Sequence, residues 1–183
     1  MDYSQTHKEI VKACLANDRR AQFELYKLYS QAMYNICLRM VHDENDAEDI
    51  LQQSFMDVYS KLSMFKFESS IGAWIKRIVI NNSINFLKKR KLQLTELNEQ
   101  HSGVAVDNDC EDVHYNVDQI KNAVSKLPDG YRLVFNLYAF EGYDHKEIGD
   151  IIGITEATSK SQYSRAKKKL RDIINADAIN QLS

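Results

Sequence analysis

Apolar residues along this chain recur every three or four positions over stretches of about 5–16, 18–41, 45–65, 70–91, 116–126, 129–140, 144–151 and 155–174. That period predicts helices with one face in a core; half-buried strands would alternate instead. In the third stretch Ala47, Ile50, Leu51, Ser54, Val58, Leu62 and Phe65 share one stripe, with Asp46, Asp49, Gln53 and Asp57 opposite. The fourth has a core stripe of Ile71, Ile75, Ile78, Val79 and Phe86, and the last one of Ser159, Tyr163, Ala166, Leu170 and Ile173. Asn17 or Asp18 and Thr155 stand where N-caps belong, and Pro128 stands near the first turn of its helix.

The apolar period lapses near 92–115, where Asn, Asp, Gly and Ser gather. Such a segment reads as a flexible acidic linker, 93–115, between two all-helical domains at 1–92 and 116–183. There is no internal repeat. The chain has only 6 Gly and 1 Pro in 183 residues, too few turn formers for a sandwich or barrel, which agrees with an all-α fold. Three cysteines, Cys14, Cys37 and Cys110, form no CxxC pair and fit a reduced cytoplasmic protein. No apolar run approaches the roughly 18 residues of a spanning helix, and the N-terminus is too polar for a signal peptide, so no membrane insertion is expected.

Charge sharpens the picture once it is split by segment. The whole chain carries 24 Lys and Arg against 26 Asp and Glu, a net of -2, which taken alone argues against a phosphate-binding partner. Yet residues 40–60 hold six acids and no Lys or Arg, residues 61–91 hold eight basic side chains and one acid, and residues 156–171 hold six and one. One acidic and two basic surfaces are therefore expected.

In YDHKEIGDIIGITEATSKSQYSRAKKKL a short helix, a turn through Gly153 and a second helix follow one another, with Ile148, Ile151, Ile152 and Ile154 to lock them together. This is helix-turn-helix spacing. On the second helix Thr158, Gln162, Arg165 and Lys169 share a face, flanked by Lys160, Lys167, Lys168 and Arg171. Short polar and Gln or Arg side chains near the helix start suit base edges in a major groove, and cations beyond suit phosphates. Taken alone the same residues would make an ordinary solvated basic helix; the preceding helix and turn favour DNA.

The ordered set Leu127-Pro128, Arg132, the Glu147-Ile148-Gly149 helix, and Thr158, Lys160 and Ser161 ahead of Arg165-Ala166 resembles region 4 of bacterial sigma factors of the extracytoplasmic-function (ECF) group. That resemblance implies minus-thirty-five recognition by Thr158, Lys160, Ser161, Gln162, Arg165, Lys167 and Lys168. Two positions depart from the pattern. Ser159 replaces an apolar residue, which predicts looser helix packing, and Gln162 replaces Arg, which favours adenine over guanine edges.

The wording DAEDILQQSF at 46–55 resembles region 2.2 of the same group, implying that Asp46, Asp49, Gln52 and Gln53 face core RNA polymerase. Complementary charge there would steer docking and fix register. In the next stretch Trp74, Arg77, Asn81, Asn85 and Lys88 share a helical face, a mixture suited to stacking, base-edge reading and backbone contact with unpaired DNA. Trp74 fits a core equally well. The stretch resembles regions 2.3 and 2.4, which implies that the loop Lys66, Phe67, Glu68, Ser69, Ser70 holds a base flipped from the non-template strand and that Asn81 contacts the minus-ten element.

A sigma factor of this group is a non-catalytic polymerase subunit with no cofactor or metal, and an anti-sigma factor is a usual partner. Elements about 25 base pairs apart lie roughly 85 Å apart, and the 23-residue linker reaches at most about 75 Å, so with the width of each domain both could engage at once. A di-iron helical bundle would need two Glu-x-x-His motifs, and only Glu111–His114 has that spacing. No Gly-rich phosphate loop, nucleophile elbow or HExxH occurs. The remaining rival is a conventional helix-turn-helix regulator that dimerises through its N-terminal half and binds duplex operators without polymerase.

Overall fold

A computed structural model describes residues 3–95 and 117–181, and among them every regular element is a helix. In order these are α1 (Tyr3–Leu15), α2 (Arg19–Val41), α3 (Glu44–Lys61), a 3₁₀ turn (Leu62–Met64), α4 (Ile71–Thr95), α5 (Val117–Ser125), α6 (Asp129–Ala139), α7 (His145–Ile152) and α8 (Glu156–Gln181). They form two compact units, divided between Lys91 and Leu92. The linker expected over 93–115 lies outside the described residues apart from its first three, which continue α4. Cys110, Glu111 and His114 also lie outside them.

In the first unit Asp18 caps α2, its carboxylate accepting the Arg20 and Ala21 amides at 2.8 and 3.4 Å. His42 ends that helix in the left-handed region at φ 56°, and Asp43 caps α3 by accepting the Asp46 amide at 2.9 Å. A two-residue connection leaves α2 and α3 only an antiparallel hairpin. Tyr26 meets Phe55 edge-on at 4.8 Å, and the Tyr59 hydroxyl donates to the Gln22 carbonyl at 2.8 Å.

All seven residues of the stripe expected from Ala47 to Phe65, five on α3 and Leu62 and Phe65 just beyond it, are buried, and so is Phe55, which meets Tyr26 of α2. On α4 the stripe needs correcting. Ile71, Ile75 and Val79 are buried but Ile78 and Phe86 only half so, while Ile80, Ser83, Ile84 and Leu87 are buried as well. Two buried serines are satisfied locally, Ser54 donating to the Ile50 carbonyl at 2.6 Å and Ser83 to Val79 at 2.9 Å. Cys14 and Cys37 are free thiols in this core, and burial pushes Cys37 up to about 11, which leaves it protonated and unreactive.

The second unit is built around α8, against which α5, α6 and α7 all pack. Ala166, Leu170 and Ile174 of α8 meet Ala123, Val124, Leu127 and Phe135, with Tyr163 and Ile173 at the edge of the cluster. Burying each large aliphatic side chain contributes about 1.5–3 kcal/mol. Arg132 is buried at 5% exposure and ties the α5–α6 corner, donating to the Leu127 carbonyl at 2.8 Å and pairing with Asp129. Its role is to hold that corner.

A capping box starts α7: the Asp144 carboxylate accepts from the Glu147 amide, and Glu147 accepts from the Asp144 amide, both at 2.8 Å. Gly153 ends it at φ 80°, its amide donating to the Gly149 carbonyl at 2.8 Å. A Cβ on Gly149 would stand 2.7 Å from the Ile154 carbonyl oxygen, so the turn into α8 closes this tightly only over a glycine. Of the four isoleucines expected to lock the pair, Ile148 is fully buried, whereas Ile151, Ile152 and Ile154 are half-buried.

Candidate nucleic-acid and partner interfaces

Three surfaces carry the candidate residues. On α3, Asp49, Gln52 and Gln53 are exposed, while Asp46 is half-buried and pairs with Arg90 of α4 at 3.3 Å. Asp57, expected on the same acidic face, accepts from Lys61 at 3.0 Å, from Gln53 at 3.2 Å and from Asn82 at 3.3 Å. The Lys61 ammonium first, then Asn82 and Gln53, hold its carboxyl below the usual carboxylate range. Part of the acidity of α3 is thus spent on α4, and the face that stays open is narrower than the helical pattern implied. Asp49 and Gln53 line one side of a groove of about 380 Å³, whose other side is Asn82, Asn85, Phe86 and Lys89 of α4. Asn82 and Arg90 carry no signal in the helical pattern, because their partners Asp57 and Asp46 lie on another helix.

The second surface is the loop 65–70 with the exposed face of α4. Phe65 is buried, and its ring contacts both Phe67 (4.8 Å between centroids) and Trp74 (5.5 Å). Trp74 is half-buried, in contact with the buried Phe65 ring and only partly accessible. Lys66, Phe67, Ser69 and Ser70 are exposed. Ser70 caps α4, its hydroxyl accepting the Ala73 amide at 3.2 Å. Phe67 adopts φ 60°, a left-handed conformation that is a genuine outlier for a bulky side chain and is commonly held at ligand-binding positions. Arg77, Asn81, Asn85 and Lys88 all stand exposed along α4, as the spacing predicts.

This loop does not enclose its pocket by itself. Phe67, Ser69 and Ser70 line a cavity of about 150 Å³ together with His7 and Lys8 from α1. Nothing in the helical pattern of residues 5–16 singles those two out.

The third surface is α8. Lys160, Lys167, Lys168 and Lys169 are exposed, whereas Thr158, Ser161, Gln162 and Arg165 are half-buried. The Thr155 hydroxyl accepts the Thr158 amide at 3.0 Å and so acts as the expected cap. Lys160 pairs with Glu156 at 2.6 Å, and the Lys167 ammonium sits 5.2 Å above the Tyr163 ring. Both are exposed contacts of the kind worth about 1 kcal/mol or less, so both cations remain able to exchange them for phosphate.

Ser159 does not loosen the packing. It is fully buried, and its hydroxyl lies 3.0 Å from Nδ1 of His145 at the start of α7. The His145 ring stacks on Tyr138 at 4.4 Å and 14° and lies 5.6 Å from Tyr163, so the polar pair is enclosed by aromatic rings from α6 and α8. Burial first and then the Lys160 charge push His145 below its usual pKa, partly offset by Glu156 and Asp144. The polar residue at 159 is accommodated by a polar residue at 145, a pairing across 14 residues that periodicity cannot reveal.

Among the described residues no group of three or more His, Cys, Asp or Glu is placed to hold a metal ion, and no helix is long and apolar enough to cross a membrane.

Comparison with known proteins gives the same two blocks. Residues 25–93 match the family model for sigma-70 region 2, and residues 118–170 match that for sigma-70 region 4. The chain is 30% identical over 156 residues to the ECF RNA polymerase sigma factor SigM of Bacillus subtilis, spanning 83% of this chain and 94% of that protein. It is 28% identical over 176 residues to SigW of the same organism, spanning 90% and 94%. The sigma factor RpoE of Bartonella quintana, solved with the anti-sigma factor NepR, shares the fold at a TM-score of 0.55 and 21% identity, covering 84% of this chain and 96% of that one.

Proposed function

The chain belongs to the sigma-70 family, in the ECF group of RNA polymerase sigma factors, and we propose that its two units divide promoter recognition between them. In this reading the first unit docks on core polymerase through Asp49, Gln52 and Gln53, with Asp46 held against Arg90 at the edge of the face. It opens and reads the minus-ten element with Lys66, Phe67, Ser69, Ser70, Trp74, Arg77, Asn81, Asn85 and Lys88. The second unit reads the minus-thirty-five element as duplex, with Thr158, Ser161, Gln162 and Arg165 toward base edges and Lys160, Lys167 and Lys168 toward phosphates.

The observation that carries this reading is the occurrence of both blocks in one chain: a helix-turn-helix with its cations exposed, and a separate unit with a strained aromatic loop beside a row of exposed amides and cations. A duplex-binding regulator has no use for the second feature. Extruding a base costs a few kcal/mol, and an aromatic pocket flanked by phosphate-binding lysines supplies stacking worth about 1–3 kcal/mol per base. The protein contributes recognition and strand separation, with bond-forming chemistry left to the polymerase. It works in the cytoplasm, where core polymerase and DNA are, and an anti-sigma factor is an expected partner, as RpoE has in NepR.

Gel filtration with core RNA polymerase, paired with footprinting on duplex DNA, tests the assignment. Co-elution with core and protection of duplex only in its presence are expected. Failure to co-elute, with an operator protected by the protein alone, would establish the conventional regulator instead.

A further inference from the structure

We infer that Asp57 and Asn82, together with Asp46 and Arg90, form a polar seam that fixes the rotation of α4 against α3, and that through it these side chains position the DNA-reading row Arg77, Asn81, Asn85 and Lys88. They are positioning residues, which need touch no DNA themselves. This deepens the reading of α4 given above and rests on it.

The seam joins the helices at two points. Asp46, early on α3, pairs with Arg90, late on α4, at 3.3 Å. Asp57, late on α3, accepts from Asn82, in the middle of α4, at 3.3 Å. The two helices therefore run antiparallel along this edge, with the ties about 16 Å apart on α3 and about 12 Å apart on α4 at 1.5 Å per residue. Between the ties lies the groove of about 380 Å³. Side chains that reach across it hold the register there. Burial of Ile75, Val79, Ile80 and Ile84 keeps α4 in the unit, but apolar burial is non-directional, whereas a hydrogen bond weakens steeply once its angle is lost.

Asn82 is anchored on both of its amide protons. Nδ2 donates to the Ser54 hydroxyl at 3.2 Å as well as to Asp57, and Ser54 is free to accept because its own proton goes to the Ile50 carbonyl at 2.6 Å. Asp57 is in turn held on its own helix, one turn away on each side, by Gln53 at 3.2 Å and Lys61 at 3.0 Å. Gln53 belongs to the face assigned to polymerase, so one carboxylate meets both the docking helix and the DNA-reading helix. Neighbouring residues on a helix stand about 100° apart, which places Asn81 a quarter turn from the seam; a rotation of about 20° at a radius of about 6 Å would carry its amide about 2 Å sideways. That is more than a hydrogen bond to a base edge tolerates.

The test uses holoenzyme reconstituted from core polymerase and full-length protein, on a promoter selected by run-off transcription. Asn82→Asp sets two carboxylates against each other and opens one end of the seam, and Arg90→Gln releases the other. Affinity of each variant for core should stay within about threefold of wild type, as for substitutions outside a core or interface. Permanganate reactivity of minus-ten thymines should fall by about tenfold, the scale of one mismatched base pair. Combining Asp57→Asn with Asn82→Asp trades amide for carboxylate, rebuilds the bond in reverse and should restore opening, a rescue that mere loss of a surface charge would not show. A double-mutant cycle adds a second readout: Asn81→Ala should cost about tenfold in opening in the wild-type background and less than about threefold beside Asn82→Asp, where the amide is already displaced. Loss of core affinity as steep as the loss of opening, full opening in both seam variants, or an exchange no better than Asn82→Asp alone would overturn the inference. If Asn81→Ala costs opening and the seam variants do not, the reading of α4 stands and the inference alone falls. If Asn81→Ala leaves opening unchanged in the wild-type background, the reading of α4 as the minus-ten face fails and the inference goes with it.

Discussion

Replacing Ser159 by Ala probes how the recognition helix is seated. The serine is fully buried, and its hydroxyl lies 3.0 Å from His145 Nδ1, so alanine removes the partner of a ring nitrogen boxed in by Tyr138 and Tyr163. Stranding a buried polar atom costs about 1–3 kcal/mol; His145 is half-buried, which puts the expectation in the lower part of that range, about 1–2 kcal/mol. Amide exchange at the α7–α8 junction should then quicken by roughly tenfold, while α2 and α3 exchange as before. The double change His145→Phe with Ser159→Val removes both polar atoms and should recover most of the loss, because replacing a bonded pair by apolar groups of similar shape is nearly neutral. Acidity adds a second readout. Burial lowers the folded-state pKa of His145 below the ordinary 6.5, so the unfolded chain takes up the proton first. Its contribution is complete above about pH 6.5 and is lost as pH falls through the lowered folded value. Protection of α7 and α8 should therefore decline from pH 7 to pH 5 in wild type more than in the double variant. Exchange in Ser159→Ala within twofold of wild type, or a double variant as damaged as the single changes combined, would refute the pairing.

Other outcomes follow from the same geometry. Asn81→Ala removes an exposed amide from α4 without touching the core, and should cut permanganate reactivity of promoter thymines while co-elution with core polymerase is unchanged; equal loss of both would count against a DNA role. Gly149→Ala places a methyl group 2.7 Å from the Ile154 carbonyl, and relieving that clash by moving the backbone should cost about 1–3 kcal/mol. Minus-thirty-five duplex affinity, measured by anisotropy, should drop with it, and an unchanged affinity would mean the turn has slack that the structure does not show.

Much of this molecule is legible in one dimension because helices are local. Among the described residues the helices lie close to where the 3.6-residue period places them, and every residue of the stripe expected from Ala47 to Phe65 is buried, since one face of that stretch turns inward along its whole length. Prediction from period weakens where a helix is surrounded. On α4 residues such as Ile80 and Ile84 are buried beside the expected stripe, so a single-face rule assigns too few core positions. It fails for pairs distant in sequence. Asp46 and Arg90 lie 44 residues apart, His145 and Ser159 lie 14, and His7 meets loop 65–70 only through the packing of α1. Acidity on α3 is partly neutralised by α4, and the polar residue expected to loosen the helix-turn-helix is one half of a bonded pair. The net charge of -2 says little about partners, because it averages an acidic helix with basic surfaces on α4 and α8.

Run-off transcription tests the central claim most directly: purified protein and core RNA polymerase are combined on a library of promoter fragments, and the transcribed templates are sequenced. Transcripts should require both components and should share two motifs at a fixed spacing, one lost in variants of α8 and the other in variants of loop 65–70 and α4. Transcription that core polymerase achieves equally well alone, or a single motif insensitive to the loop and α4 variants, would contradict a sigma factor with two DNA-reading units.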